Sequence, residues 1–287
     1  MPAIVTIKGT VKSLQPIVHG ADMPDEGVAA QGNERFHRKM KVWYEGKAVH
    51  IPVISGNSIR GIMRRLGAQS YLEMLELDPE RIGRKLRYLL FSGGSLEAGA
   101  AKGRQKEKQE AHRTFIEDLR EYIPLASLMG CSFKRQLISG KLITDFLVPL
   151  VDEVAELYGQ PKPGISAAEI TDWLFYTRQD HSEEPRTERN QMIYKTEYIV
   201  PNMTFMHAFT LVGANRVETA LFYHLLEELN RYGRVGGKVA QGHGKVEYHY
   251  SLQADHTIEP YISYIEENRE KITDFLQSNW SSGENQN

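Results

Sequence analysis

Two short segments carry the residue types best suited to chemistry on an anion. One reads "SGNSIRGIMRR" at 55–65 and the other "GRVGGKVAQGHGKV" at 233–246. In the first, Arg60, Arg64 and Arg65 follow a run of small polar residues that includes Asn57 and Ser58. The start of a helix exposes backbone N–H groups that favour an anion. A guanidinium adds a fork of donors that matches the oxygens of phosphate. In the second segment, five glycines fall among three cationic side chains and a histidine. Glycine there permits positive φ or close backbone approach, and Lys238, Gln241, Gly242 and His243 supply donors. Read alone, each segment fits a solvated surface as well as a phosphate site.

Other chemistries find less support. The chain has one cysteine and ten histidines, with no CxxC or HExxH spacing to hold a metal. Gly237 and Gly242 bracket four residues as in a P-loop. His243 stands where the phosphate-binding lysine belongs, however, and a strand pattern follows where a helix is needed. No GxSxG elbow occurs. Cys131, in "LMGCSF", reads as a small buried hydrophobe. Asp22 and Asp25 sit near His19 in a polar loop, where they are either solvated or candidates for a hydrolytic role. No cofactor is expected.

The elements that must hold these segments follow from periodicity. Residues 3–14 alternate as a half-buried strand, and 38–54 read as a hairpin turning at Glu45–Gly46. Ile59, Ile62, Met63 and Leu66 lie at i, i+3, i+4 and i+7. They predict a helix capped by Asn57 or Ser58 and ended by Gly67, with Arg60 and Arg64 on a shared face away from the apolar one. Residues 68–92 read as helical, 93–113 as a charged insertion, and Lys141–Leu147 as a strand. Residues 175–192 form a polar loop or projecting hairpin, 203–213 a central strand, 216–231 a helix and 244–252 an alternating strand. This order predicts an α+β fold in which two helices cover one face of an antiparallel, ferredoxin-like sheet.

Composition sets the outer bounds. Hydrophobic residues make up 41% and charged residues 25% of 287 residues, enough for a substantial core. Net charge is −2, but it is unevenly spread: cations cluster at 60–65, 81–87, 102–113 and 231–245, while the region after Asp255 is acidic. A nucleic-acid binder of neutral balance needs such segregation. The N-terminal segment has no basic start followed by an apolar run, and no stretch approaches a membrane span, so a cytoplasmic protein is expected.

Four segments together resemble a known family. "IPVISGNSIRGIMRR" (51–65) resembles the turn and Ser-x-[Arg/Lys]-Gly helix of the RAMP superfamily, the RNA-binding subunits of CRISPR effector complexes. "GGKVAQGHGKVEY" (236–248) resembles its glycine-rich loop and last strand. "LASLMGCSFKRQLISGKLITDF" (125–146) and "TEYIVPNMTFMHAFTL" (196–211) resemble two intervening segments, in matching order. The wording of 55–65 is most similar to the backbone subunit of type IV systems.

The resemblance implies a modified RNA-recognition palm over 1–252, a finger-like insertion near 70–120 and a thumb-like hairpin near 175–195; it does not extend to 253–287, which the sequence itself marks as an acidic, partly helical tail. It implies a non-enzymatic subunit that polymerises as a helical filament along guide RNA. Further partners would be other effector subunits and a target DNA or RNA read by base pairing. The phosphate contacts would fall to Asn57, Ser58, Arg60, Arg64 and Arg65, with Lys134, Arg135, Lys238, Gln241, Gly242 and His243 beside them. Two rival expectations are a ribonuclease using Asp22 or Asp25 on a target, or His19 or His243 on the guide, and a protein-interaction module in which the arginines are ordinary surface charges.

Overall fold

The computed structural model describes residues 2–20, 34–94, 113–133, 136–178 and 192–280. The chain opens with β1 (Ile4–Ser13), a short β2 (Glu34–Arg35), and the hairpin strands β3 (Lys39–Tyr44) and β4 (Lys47–Pro52). Helix α1 (Gly56–Met74) follows, then α2 (Arg84–Ser92), α3 (Arg113–Tyr122) and α4 (Pro124–Met129). Short strands β5 (Cys131–Phe133), β6 (Gln136–Ile138), β7 (Leu142–Thr144) and β8 (Val148–Pro149) lead to a second hairpin, β9 (Thr171–Arg178) and β10 (Met192–Ile199). The chain closes with β11 (Thr204–Val212), α5 (Arg216–Tyr232), β12 (Val246–Tyr250) and α6 (Glu259–Trp280).

The architecture is mixed α+β with antiparallel main pairings. The principal sheet runs β12-β1-β11-β7, with β8 also on β11. As its apolar pattern predicts, β11 is central, with β1 on one side and β7 and β8 on the other. Its buried positions Phe205, Phe209 and Leu211 alternate with half-exposed ones, so one face alone meets the core. Helices α1 and α5 cover that face: Ile59, Met63 and Leu72 of α1 and Leu221, Phe222 and Leu225 of α5 are fully buried in one continuous core.

Two local readings need correction. The first helix does not end at Gly67 but runs on to Met74. Gly67 is there because α1 and α5 cross closely at that point. An added Cβ would lie 2.6 Å from a Leu225 methyl and 2.9 Å from one of Leu125. The cap at the helix start is Ser55, not Asn57 or Ser58: its hydroxyl accepts from Ser58 N–H at 3.3 Å.

The Glu45–Gly46 turn is present, and both residues have positive φ, 48° and 79°, as a two-residue hairpin turn of this hand requires. Helix α6 is amphipathic and buries Tyr261, Ile265, Ile272, Leu276 and Trp280, while Glu266, Glu267, Glu270 and Asp274 face solvent. Its acidic character is one solvated face of a packed helix. No helix among the described residues is long and apolar enough to cross a membrane.

Candidate nucleic-acid interface

The start of α1 and the glycine-rich loop are 180 residues apart in the chain, yet a strap at Ile17–His19 ties them together. Val18 pairs with Gly237, whose N–H donates to the Val18 carbonyl at 2.7 Å. The neighbouring His19 reaches the start of α1: its Nε2 lies 3.2 Å from the Ser55 hydroxyl and accepts from Ser55 N–H at 3.2 Å. The two segments singled out for anion chemistry therefore converge on one side of the molecule.

The glycine-rich loop owes its shape to glycine, chiefly through contacts within the protein. Gly244 has φ +80°, and a Cβ there would collide with the Val235 carbonyl. At Gly236, φ +76°, a Cβ would strike the Val18 carbonyl. These two glycines let the loop fold back on its own backbone and on the strap. Gly242 differs: it has φ +87° with nothing within 4 Å, and it is exposed with Gln241.

The β9–β10 hairpin docks on this loop. The Lys238 ammonium donates to Thr196 Oγ1 at 3.0 Å and sits 3.5 Å from the centre of the Tyr176 ring. Tyr176 hydroxyl and His243 Nε2 are 2.6 Å apart. Burial lowers the Lys238 pKa, with Arg35 adding repulsion. Burial likewise lowers that of His243, which holds it neutral at physiological pH. His243 is thus a buried tie between hairpin and loop, whereas Lys238 is half exposed beside Arg35.

The arginines of α1 divide into two kinds. Arg65 is exposed and Arg60 half-buried. Arg64 is buried, which corrects the expectation that it shares a solvent face with Arg60. Its guanidinium donates to the carbonyls of Met129 at 3.0 Å and Gly130 at 2.7 Å. Arg60 also donates to the Met129 carbonyl. Desolvation and the charge of Arg60 pull the Arg64 pKa down to about 10, so it stays protonated at neutral pH. The reason for its burial lies in distant chain: α2, α4 and β5 close over that flank, with Gly93 against the guanidinium.

Asn57 is exposed and Ser58 half-buried at the helix start. Gly56 is pressed against the carbonyls of Thr144 and Asp145, so the helix start is seated on the β7–β8 connection. Asp22, Asp25, Lys134 and Arg135 lie outside the described residues. Cys131 is buried, with its thiol pKa pushed up to about 11 by desolvation. Among the described residues no group of three potential ligands could hold a metal ion.

Sequence reasoning missed a buried polar cluster behind the strap. The Glu197 carboxylate accepts from His37 N–H at 2.9 Å and pairs with Lys39 at 2.8 Å. His37 is itself buried, and desolvation lowers its pKa to about 4. These residues join the β9–β10 hairpin to the segment entering β3. Glu197 shares its strand with Lys195 and Thr196, so its charge alone gave no signal of the cluster.

No protein-family model matches the chain, and no curated protein matches it. Among solved structures, a chain of a complex described as "Type IV-B CRISPR Complex" is similar, with a TM-score of 0.57 and 21% identity. The match covers 87% of this chain and 92% of that one. The chain therefore shares its fold with a chain of that complex.

Proposed function

We propose that the chain is the guide-RNA-binding backbone subunit of a multi-subunit CRISPR effector, of the type IV kind, acting in the cytoplasm. The observation that carries this reading is the convergence of the α1 start and the glycine-rich loop through His19 and Val18. It occurs in a fold shared with a chain of a CRISPR complex. The sheet order β12-β1-β11-β7, with α1 after β1 and α5 after β11, supports a ferredoxin-like palm. The β9–β10 hairpin corresponds to the thumb and the α2–α3 region to the fingers.

The donor set suits a chain whose sequence varies. Asn57, Ser58, Arg60, Arg65, Lys238, Gln241 and the Gly242 backbone would engage phosphate and ribose, not base edges. Such contacts position RNA without reading it, leaving specificity to base pairing with the target. Arg64 and His243 serve indirectly in this reading, by shaping the turn beside Arg60 and the loop beside Lys238. Subunits stacked along one guide would give a filament, with the other effector subunits at its ends.

The test is co-expression with a repeat-spacer transcript, a high-salt wash, and size exclusion with sequencing of retained RNA. Large particles carrying guide RNA protected in regular length steps are expected. RNA-free monomer would overturn the reading. In the RNA-bound state, Arg60→Ala and Lys238→Ala are expected to weaken binding without sequence preference, each lowering the salt slope by about 1.

A further inference from the structure

The β3–β4 hairpin presents a surface outside the convergent site. Its two faces differ sharply. Met40, Val42 and Val49 pack against the core on one side. On the other, Lys41 pairs with His50 and Trp43 with Ala48, and all four are exposed. Trp43 is 76% exposed, more than any other aromatic residue described. Its cross-strand partner is alanine, too small to cover an indole, so the ring face is left open.

The charges nearby are of both signs, but the carboxylate of Glu45 is already paired with Lys162. Lys41 lies one step along the same face as Trp43, and Lys47 is exposed by the turn. The nearest carboxylate on the hairpin, Glu45, is 3.5 Å from Lys162, whose ammonium also donates to Tyr44 hydroxyl on the opposite face. Lys39, further down, is held by Glu197. An open indole beside an exposed lysine matches a base with its phosphate, because every base has a π-face and every linkage a negative charge.

We propose that the Lys41–Trp43–His50 face is a stacking platform for single-stranded RNA: Trp43 takes an unpaired base and Lys41 the adjoining phosphate. It is a second nucleic-acid surface, distinct in chemistry from the phosphate-and-ribose contacts at the α1 start. The proposal rests on the RNA-binding reading for its class of ligand.

Tryptophan emission reports on it directly. The chain has three tryptophans. Trp173 packs edge-on against Phe36 at 5.2 Å, and Trp280 is buried in a cluster with Phe115, Phe133 and Phe275. Trp43 is thus the indole open to a ligand. RNA-stripped protein is titrated with a fluorescently labelled twelve-residue adenosine RNA, following anisotropy and tryptophan emission together. The same titration uses an abasic oligomer of equal length.

Quenching by the adenosine RNA, absent with the abasic oligomer and absent in Trp43→Phe, is expected. Trp43→Ala should weaken binding about tenfold or more. Since the side chain lies outside the core, circular dichroism and melting should be unchanged. Binding seen by anisotropy with Trp43 emission unchanged would overturn the platform while leaving the RNA-binding reading intact. No binding by anisotropy would overturn both. Emission that instead changes on dilution without RNA would assign this face to a second copy of the chain and overturn the proposal.

Discussion

At the scale of single residues, the charged and the glycine positions divide by what they touch. Arg64 and Arg65 are adjacent in sequence and opposite in environment. Arg64→Ala strips the Gly130 carbonyl of its buried donor and is expected to cost about 2–4 kcal/mol. Arg65→Ala, at an exposed position, should stay within about 0.5 kcal/mol. Urea unfolding of the two variants checks this, and equal losses would remove Arg64 from its structural role. The glycines divide likewise. Gly242→Ala meets backbone strain alone, about 1 kcal/mol, whereas Gly244→Ala adds a collision with the Val235 carbonyl and should destabilise several-fold more. Equal urea midpoints for the two variants would contradict that. None of this was legible from residue type. The sequence marked these positions as special, but the atoms that make Gly244 and Arg64 special come from Val235 and from the Met129–Gly130 turn.

At the scale of elements, legibility tracked periodicity. The alternation in β1 and β12, the apolar run of β11 and the apolar stripes of α1 and α5 are local patterns, and each element lies close to where its pattern places it. Helix ends and roles depend on partners that the local pattern does not contain, which is why Gly67 reads as a stop and acts as a helix-crossing point. The same holds for α6, whose acidic residues read as a tail. Its five buried side chains, at about 1.5–3 kcal/mol each, contribute on the order of the whole stability of a domain. Tyr264 hydroxyl donates to the Glu121 carbonyl at 2.9 Å, and Arg269 pairs with Glu76, so α6 also clasps α3 and the end of α1. Truncation after Asp255 is therefore expected to yield insoluble protein or one lacking a cooperative melt. A truncated chain that melts within a few degrees of the full one would show α6 to be dispensable.

At the scale of the whole molecule, two buried histidines link stability to pH. His37 stands behind the strap. His207 lies in the central strand, with Nδ1 2.7 Å from the Tyr250 hydroxyl and Nε2 3.2 Å from the Asp145 carbonyl. Burial lowers both pKa values from about 6.5 to about 4. The unfolded chain takes up these protons as pH falls through about 6.5, whereas the folded protein resists until about 4. Their contribution is thus intact above pH 6.5 and is lost as pH falls toward 4, at about 1.4 kcal/mol per pH unit for each histidine. Carboxylates also titrate in this range, so the informative quantity is a difference between proteins. His207→Gln keeps a donor for the Asp145 carbonyl and removes the titration. It should lower stability at pH 7 yet flatten the fall between pH 6 and 4.5 by about 1.4 kcal/mol per unit relative to the native chain. Urea unfolding at several pH values measures both slopes. Parallel slopes would mean that His207 is protonated without cost in the folded state, which requires the sheet to open around it. Such opening would loosen β11 and β12 together, since Tyr250 ties His207 of one to the other, and the glycine-rich loop feeds directly into β12. The pH profile therefore also tests how firmly the sheet holds the loop proposed to meet RNA.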